Sequence, residues 1–422
     1  MKTSDAGDAY FRARGGGSNI GAKMLEVVFP REKVTAIFDC GIGMLPRTNK
    51  DNIYLPDLNG LNPNYENLVF LTHGHMDHIG AIPKLKAMYP KIKIFATEPT
   101  QKITQVMGKD SIHIRKKSGL LLHFTDEELA ECADSMVTVK TADWFELGKG
   151  FMARFEPSGH IRGAATVLHK TPYGIFADSG DINFANTTTV LGASKKLADK
   201  VRWLSLESTN GDLSLPEPET VMAELIRDVI RVIRKGGNVL IPAFAQGRGP
   251  DVAIRLGREL RKLNIPVWSG GLLRGVTEAC NNSQWLSDIK YNGEYYKNSQ
   301  GKAAFGLVPE NVRWVNRMNC VRISCRNKRI GNVVVIPNGM LEAGYSQFFF
   351  SVWAEKEKNA ILIPGYQAEE TYGRALISIK RGDSLFLTSP ITGESVDLTV
   401  RAEVRQYKIS GHADGKQLAD WV

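Results

Sequence analysis

An α/β protein, with a β-rich unit interrupted by an inserted, doubly wound parallel unit, is the fold class the sequence predicts. Three observations predict it. Short β-rich runs broken by turns and a few helices fill the stretch from Asn19 to about Ser205. After Asp212 a strand–loop–helix unit appears and recurs, which is the pattern of parallel strands joined by crossover helices. From about Asp383 the chain turns β-rich again. At 422 residues the chain is also long for one core, which suits two domains or one domain carrying a large insertion.

Taken in order, residues 23–28 and 34–39 read as strands, and 67–71 is a third, followed by a loop and a helix over 82–88. Pro83 falls in the first turn of that helix, where a missing N–H costs little. Residues 92–96 form a further strand. Residues 166–169 and 175–177 flank a turn at 171–174 and read as a hairpin. Residues 201–206 are expected as a strand of the buried type. Residues 218–235 carry apolar side chains at helical spacing. A strand over 239–244 then runs through AQGRG into a helix opened by Pro250. The same unit returns around 333–337 and 361–364, and β-rich sequence resumes through 396–404. The expected division is 1–209, 210–385 and 386–422, the last segment returning to the first unit. There are no internal repeats and no low-complexity segments.

Lys and Arg outnumber Asp and Glu by 54 to 45, a formal net charge of +9. A basic balance favours polyanionic partners but does not identify one. The five cysteines, Cys40, Cys132, Cys280, Cys320 and Cys325, are odd in number and scattered, with no CxxC pair. Neither a disulfide framework nor a thiolate zinc knuckle is indicated, which fits a reducing cytoplasm. The first residues lack the apolar core of a signal peptide. No apolar run approaches the length of a membrane span. A soluble cytoplasmic protein is expected.

The chemistry concentrates in histidine. Three of the eight histidines sit in THGHMDHIG, as His73, His75 and His78 with Asp77 among them. The run follows an apolar strand and precedes a helix, so it lies on a strand-to-helix loop, a common seat of function. Imidazole and carboxylate on one tight loop can face a common point and suit Zn²⁺. One loop cannot close two metal sites. His160 in PSGHIRGAA and Asp181 in ADSGDIN are the candidate distant ligands; Asp178 is the alternative carboxylate. His113, His123 and His169 are expected in structural or surface roles.

As an ordered set, HGHMDHIG, SGHIRGAA and SGDIN resemble the second, third and fourth motifs of the metallo-β-lactamase superfamily. Asp39 in IFDCG resembles its first-motif aspartate, which orients the loop. LSLESTNGD with Glu207, GGNVLIPAFAQGRGPDVA, the stretch from IPNGMLEAGY to ETYGRAL, and YKISGHADGKQL with His412 resemble the β-CASP nuclease branch. The similarity runs from about Asn19 to the end. It implies an αββα lactamase sandwich with an inserted doubly wound β-CASP domain. The branch's last histidine ligand falls beyond Val422. On that resemblance the end of the lactamase domain is expected to be truncated here, and either the chain is a fragment, which is the favoured reading, or the second metal is held weakly, or a partner supplies the ligand.

The resemblance implies two Zn²⁺ per chain, with Mn²⁺ as another acceptable ion. His73, His75, His160 and Asp181 would hold one, and Asp77, His78 and a bridging Asp181 the other. His412 would protonate the leaving oxygen, with Glu207 orienting it and Asp77, Glu207 and His412 counted as catalytic. Single-stranded RNA is the expected partner, DNA the lesser candidate, a membrane excluded and a homodimer allowed. Arg248, Ser410 and Gly411, and Arg313 and Arg317 from the acid-free run Arg313, Arg317, Arg322, Arg326, Lys328 and Arg329, are the candidate substrate contacts. Trp314 and Asn316, Asn319 and Asn327 are interleaved there, as in a groove that tracks phosphates and stacks a base. A charged strand edge or solvated helix face is the competing reading. The competing functions are a small-molecule hydrolase of the same fold, a DNA nuclease and an inactive scaffold.

Overall fold

The computed structural model describes residues 9–17, 21–43, 54–140, 142–196, 200–281, 285, 311–325, 329–388 and 393–422. The first sheet runs β1 (Tyr10–Gly15), β2 (Met24–Phe29), β3 (Val34–Phe38), β4 (Glu66–Phe70), β5 (Lys93–Thr97) and β6 (Val137–Val139) in spatial order. The first three strands are antiparallel and β3 to β6 are parallel. The helices α1 (Met76–Ile79), α2 (Ile82–Met88), α3 (Glu98–Lys117) and α4 (Asp126–Asp134) fill the crossovers. The second sheet holds β7 (Phe145–Gly148), β8 (Phe151–Pro157), β9 (Ala165–Thr171), β10 (Gly174–Asp178) and β11 (Val201–Ser205), with β11 at one edge.

The two sheets meet through aromatic side chains. Phe29, Phe38, Phe70 and Phe95 face Phe151, Phe155, Val167 and Phe176. His169 lies among these rings, stacked 5.4 Å from Phe151, and burial pushes its pKa down to about 3. It is a core histidine, as expected. The other face of the first sheet packs Ile37, Val69, Leu71 and Ile94 against Ile82, Leu85 and Cys132 of α2 and α4.

The inserted unit alternates strand and helix: α5 (Pro218–Arg234), β12 (Val239–Pro242), α6 (Arg248–Arg261), β13 (Val267–Gly270), α7 (Leu272–Asn281), β14 (Val312–Val315), α8 (Asn319–Cys325), β15 (Val333–Ile336), α9 (Gly344–Trp353), β16 (Ala360–Ile363) and α10 (Tyr372–Ser378). A hairpin, β17 (Ser384–Thr388) and β18 (Ser395–Thr399), precedes β19 (Glu403–Gln406), and α11 (Gly415–Trp421) closes the sequence. The sheet order is β14-β13-β15-β12-β16-β19, with every pair parallel. VLIP, VVVI and AILI are buried along their whole length, because helices cover both faces. α5 and α6 build one core and α8, α9 and α10 the other.

Several expectations are corrected. Residues 201–206 are not a buried strand: β11 is a sheet edge, and Trp203 is 38% exposed. β1 went unread as a strand. The helix after AQG starts at Arg248, ahead of Pro250. The boundary at 385–386 does not hold. Leu385, Leu387, Val400 and Ala402 pack into the inserted unit's core, and β19 pairs with β16. Period-two patterning identifies a strand but not the sheet it joins. The chain rejoins the first unit after β19, where Ala413, Leu418 and Trp421 pack with Ile182 and Leu204.

β19 is anchored by charge. Asp228 of α5 accepts from Tyr407 Oη and Arg405 Nη1, each at 2.6 Å, and against partial burial Tyr407, then Arg231, then Arg405 hold its carboxyl below the usual range. Tyr407→Phe is expected to cost about 1–2 kcal/mol, read as a lower urea midpoint. An unchanged midpoint would show that Tyr407 does not anchor this strand.

Candidate metal centre

The loop leaving β4 is fixed before any ligand is considered. Cys40 N–H donates to the His78 carbonyl at 2.8 Å, and Ile42 N–H to that of Met76 at 3.0 Å. The loops approach so closely that a Cβ on Gly41 would lie 1.6 Å from the Asp77 carbonyl oxygen. Asp39, fully buried, sits at φ 62°, a left-handed conformation that aspartate tolerates better than most residues. Its carboxylate accepts from Thr72 N–H at 2.7 Å and lies 2.8 Å from His78 Nδ1. Burial opposes its charge, but Lys23 and His78 outweigh burial and hold its pKa below the ordinary value.

Four donor atoms from three loops converge. His73 Nε2 lies 3.0 Å from His75 Nδ1, which lies 3.1 Å from His160 Nε2. Asp181 Oδ2 is 3.4 Å from both His73 Nε2 and His160 Nε2. Donors at zinc bond lengths of ~2.0–2.1 Å around a tetrahedron are separated by ~3.3 Å, so the spacing fits such an ion. Burial keeps the imidazoles neutral: it pushes His73 and His160 well down, and His75 to about 4. Lone pairs are therefore available. His160 Nδ1–H donates to the Gly411 carbonyl at 2.7 Å, turning Nε2 toward the cluster.

A second set is looser. His78 Nε2 is 3.4 Å from Asp181 Oδ1 and 3.7 Å from Asp77 Oδ2. The two Asp181 oxygens thus face different imidazoles, as a bridging carboxylate's would. Burial disfavours the His78 cation, yet Asp181, Asp39 and Asp77 outweigh it and raise the pKa to about 9. That surplus of negative charge is what a divalent cation would offset.

Glu207, just after β11, accepts from Ile182 N–H at 2.7 Å and holds His412 Nδ1 at 3.0 Å from both of its oxygens. Asp181, Glu207 and His412 form a second compact donor group. Burial works against charge on His412, but Glu207 and then Asp181 raise it to about 9.

The structure brings together all six expected ligands, with Asp39, Glu207 and His412 around them. The expected substrate contacts fare differently. Arg248 is not on an open loop: it is 7% exposed, and its guanidinium donates to the His160 and Ser410 carbonyls at 3.2 and 3.3 Å and pairs with Asp251 at 3.2 Å. It clamps two site loops. Ser410 Oγ accepts from His412 N–H and Asn210 Nδ2, each at 3.0 Å, so it shapes the turn. Gly411 packs closely on the site, and a Cβ there would meet His160 Nδ1 at a tight 3.2 Å. Arg313 and Arg317 are exposed at the β14 edge, with Arg313 over the Trp268 ring at 5.9 Å. Arg326, Asn327 and Lys328 lie outside the described residues. Asp178, the alternative carboxylate, accepts from Lys23 Nζ at 2.6 Å. Sequence reading missed Lys23 and Gln246, whose Nε2 donates to the Gly74 carbonyl at 2.9 Å. Lys23 carries no motif signal, and Gln246 lies in the quoted GGNVLIPAFAQGRGPDVA stretch without being singled out there.

The Metallo-beta-lactamase superfamily model matches residues 27–132, from β2 into α4, and the Beta-Casp domain model matches residues 272–376 of the inserted unit. This chain belongs to the β-CASP branch of the metallo-β-lactamase superfamily. Its β-CASP and lactamase units resemble those of an archaeal "RNase aCSPSF2" from Saccharolobus solfataricus, with 27% identity over 98% of this chain and 76% of the relative. "Transcription termination factor FttA" from Methanocaldococcus jannaschii is 26% identical over 99% of this chain and 65% of its own length. "Integrator complex subunit 11" from Gallus gallus is 27% identical over 97% and 66%. The chain thus spans about two thirds of the length of the last two. A crystal structure of an Enterococcus faecalis protein of unknown function shares the β-CASP chain's fold, at TM-score 0.54 and 14% identity, over 97% of this chain and 91% of that one. The family binds divalent metal, and the His/Asp cluster is where this member has the donors for it. Among the described residues no helix is long and apolar enough to cross a membrane.

Gly41→Ala is expected to weaken metal binding by about 10–100-fold, because the new methyl displaces the loop of Asp77. Metal analysis at matched far-UV circular dichroism measures it. Wild-type affinity would mean the loop tolerates the shift.

Proposed function

We propose that this chain is a metal-dependent ribonuclease that hydrolyses phosphodiester bonds in single-stranded RNA. The observation that carries the reading is Asp181, which faces both imidazole sets and also stands beside the Glu207–His412 pair. The RNase relatives and the basic balance support it.

The proposed ligands are His73, His75, His160 and Asp181 for one Zn²⁺ and Asp77, His78 and Asp181 for the other, with Mn²⁺ an alternative. Ions there would lower the pKa of water and offset charge on the phosphoryl oxygens. His412 is the proton donor to the leaving 3′-oxygen. With Nδ1 committed to Glu207, its Nε2–H is the group left to give, and the carboxylate keeps the ring charged at neutral pH. Attack at phosphorus with loss of the 3′-oxygen leaves a 5′-phosphate and a 3′-hydroxyl. Asp39 holds His78, and Gly411 and Arg248 hold His160. The inserted unit reaches the metal loop through Gln246, and with that unit capping the site a flexible single strand is the proposed substrate rather than a duplex. The described cysteines are free, which suits a cytoplasmic location.

End-labelled single-stranded RNA and a matched DNA test the reading, with 5′-triphosphate and 5′-monophosphate ends compared. The wild type is expected to cut RNA and to lose activity on chelation. His412→Ala is expected to slow cleavage by about 10²–10⁴-fold with bound metal retained. A metal-loaded chain that cuts DNA in preference, or neither polymer, overturns the proposal.

A further inference from the structure

Lys23 stands directly before β2 and is tied to the metal loop twice through its backbone. Its N–H donates to the Asp77 carbonyl at 3.0 Å, and its carbonyl accepts from Gly41 N–H at 3.0 Å. Its side chain, 24% exposed, then turns inward between two carboxylates that are fully buried. Nζ lies 2.6 Å from Asp178 Oδ1 and 3.2 Å from Asp39 Oδ2. From there two short paths lead to ligands. Asp39 continues to His78 Nδ1 at 2.8 Å. Asp178 Oδ1 also accepts from Gly180 N–H at 2.9 Å, and Gly180 immediately precedes Asp181. One ammonium therefore joins the start of β2, the turn after β3 and the end of β10.

We propose that Lys23 and Asp178 are a positioning pair that sets His78 and Asp181 for the second metal ion. This rests on the two-metal reading above and goes beyond it, since neither side chain is placed to touch an ion or substrate. The argument is one of buried charge. Asp39 and Asp178 share one cation, and removing it strips the ammonium from two buried carboxylates near each other, leaving His78 and Thr72 at Asp39 and the Gly180 N–H at Asp178. They cannot both keep their places, and Asp39 is the one that orients His78. The sign of the coupling follows. Loss of Lys23 alone should harm the site, whereas simultaneous loss of the Asp178 charge should restore it, leaving Asp39 with His78 and Thr72. A lysine that merely filled space would show no such compensation.

The test titrates the full chain with Co²⁺ and follows its visible absorption, comparing wild type, Lys23→Met, Lys23→Arg and Lys23→Met/Asp178→Asn. Lys23→Met is expected to bind the second equivalent about 10–100-fold more weakly while the first changes little. Lys23→Arg, which keeps the charge, and the double variant should recover most of that loss. Second-site affinity in Lys23→Met equal to wild type overturns the proposal. So does a double variant as impaired as the single. If Lys23→Met fails to fold by circular dichroism, the double variant decides: folding with near wild-type affinity supports the pair, and misfolding or weak binding overturns it. A wild-type chain that takes up one Co²⁺ defeats the two-metal reading itself, a result distinct from any of these.

Discussion

Three imidazole nitrogens and a carboxylate oxygen held 3.0–3.4 Å apart in a buried place impose a demand on the rest of the molecule. Buried polar groups need partners, and neutral imidazoles whose lone pairs face each other do not supply them to one another. The arrangement is costly unless a cation joins it, so the scaffold must hold it open against collapse. That explains the density of constraint nearby. Asp39 accepts a left-handed backbone, Gly41 has no room for a methyl group, and the Gly411 carbonyl fixes one ring. Each is individually unfavourable or restrictive, and together they make the donor positions independent of side-chain entropy.

The fold supplies those positions by geometry shared by both units. In the first, the loops that carry ligands leave the carboxyl ends of β4, β8 and β10, and that of β4 leaves a parallel strand, where open α/β sheets place their sites. In the second, the segments after β12 and β19 leave the carboxyl edge of the inserted sheet and meet the same loops. Gln246 donates to Gly74, Arg248 to His160 and Ser410, and His160 to Gly411. The inserted unit is thus wired to the ligands by backbone carbonyls, so its placement and that of His160 are linked.

What was legible in the sequence follows from range. HxHxDH is local, and its meaning survives without a structure because the ligands are four neighbours on one loop. His160, Asp181, Glu207 and His412 were legible only as an ordered resemblance, since nothing in residue 160 or 412 announces a partner far away in the chain. Elements with strong patterning were found near their true bounds; residues 82–88 and α2 coincide. The failures are failures of context. β11 was legible as a strand and 396–404 as β-rich, but edge against interior, and one sheet against another, are tertiary facts. Lys23 was invisible because a lysine beside a strand is ordinarily a solvated charge.

Arg248 makes the same point in the opposite direction. A basic residue on a glycine-flanked stretch ahead of a helix reads as a phosphate contact, and in many proteins that reading holds. Here the guanidinium is buried and its bonds run inward, to two carbonyls and Asp251, whose other oxygen is held by Thr187 and Thr189 at 3.0 and 2.6 Å. A planar fork of donors suits the joining of two carbonyls from different loops as well as it suits a phosphate, and a compact ammonium would not reach both. The residue type signals only that several acceptors must be gathered. Whether those acceptors belong to a substrate or to the protein is decided by burial, which the residue type does not announce.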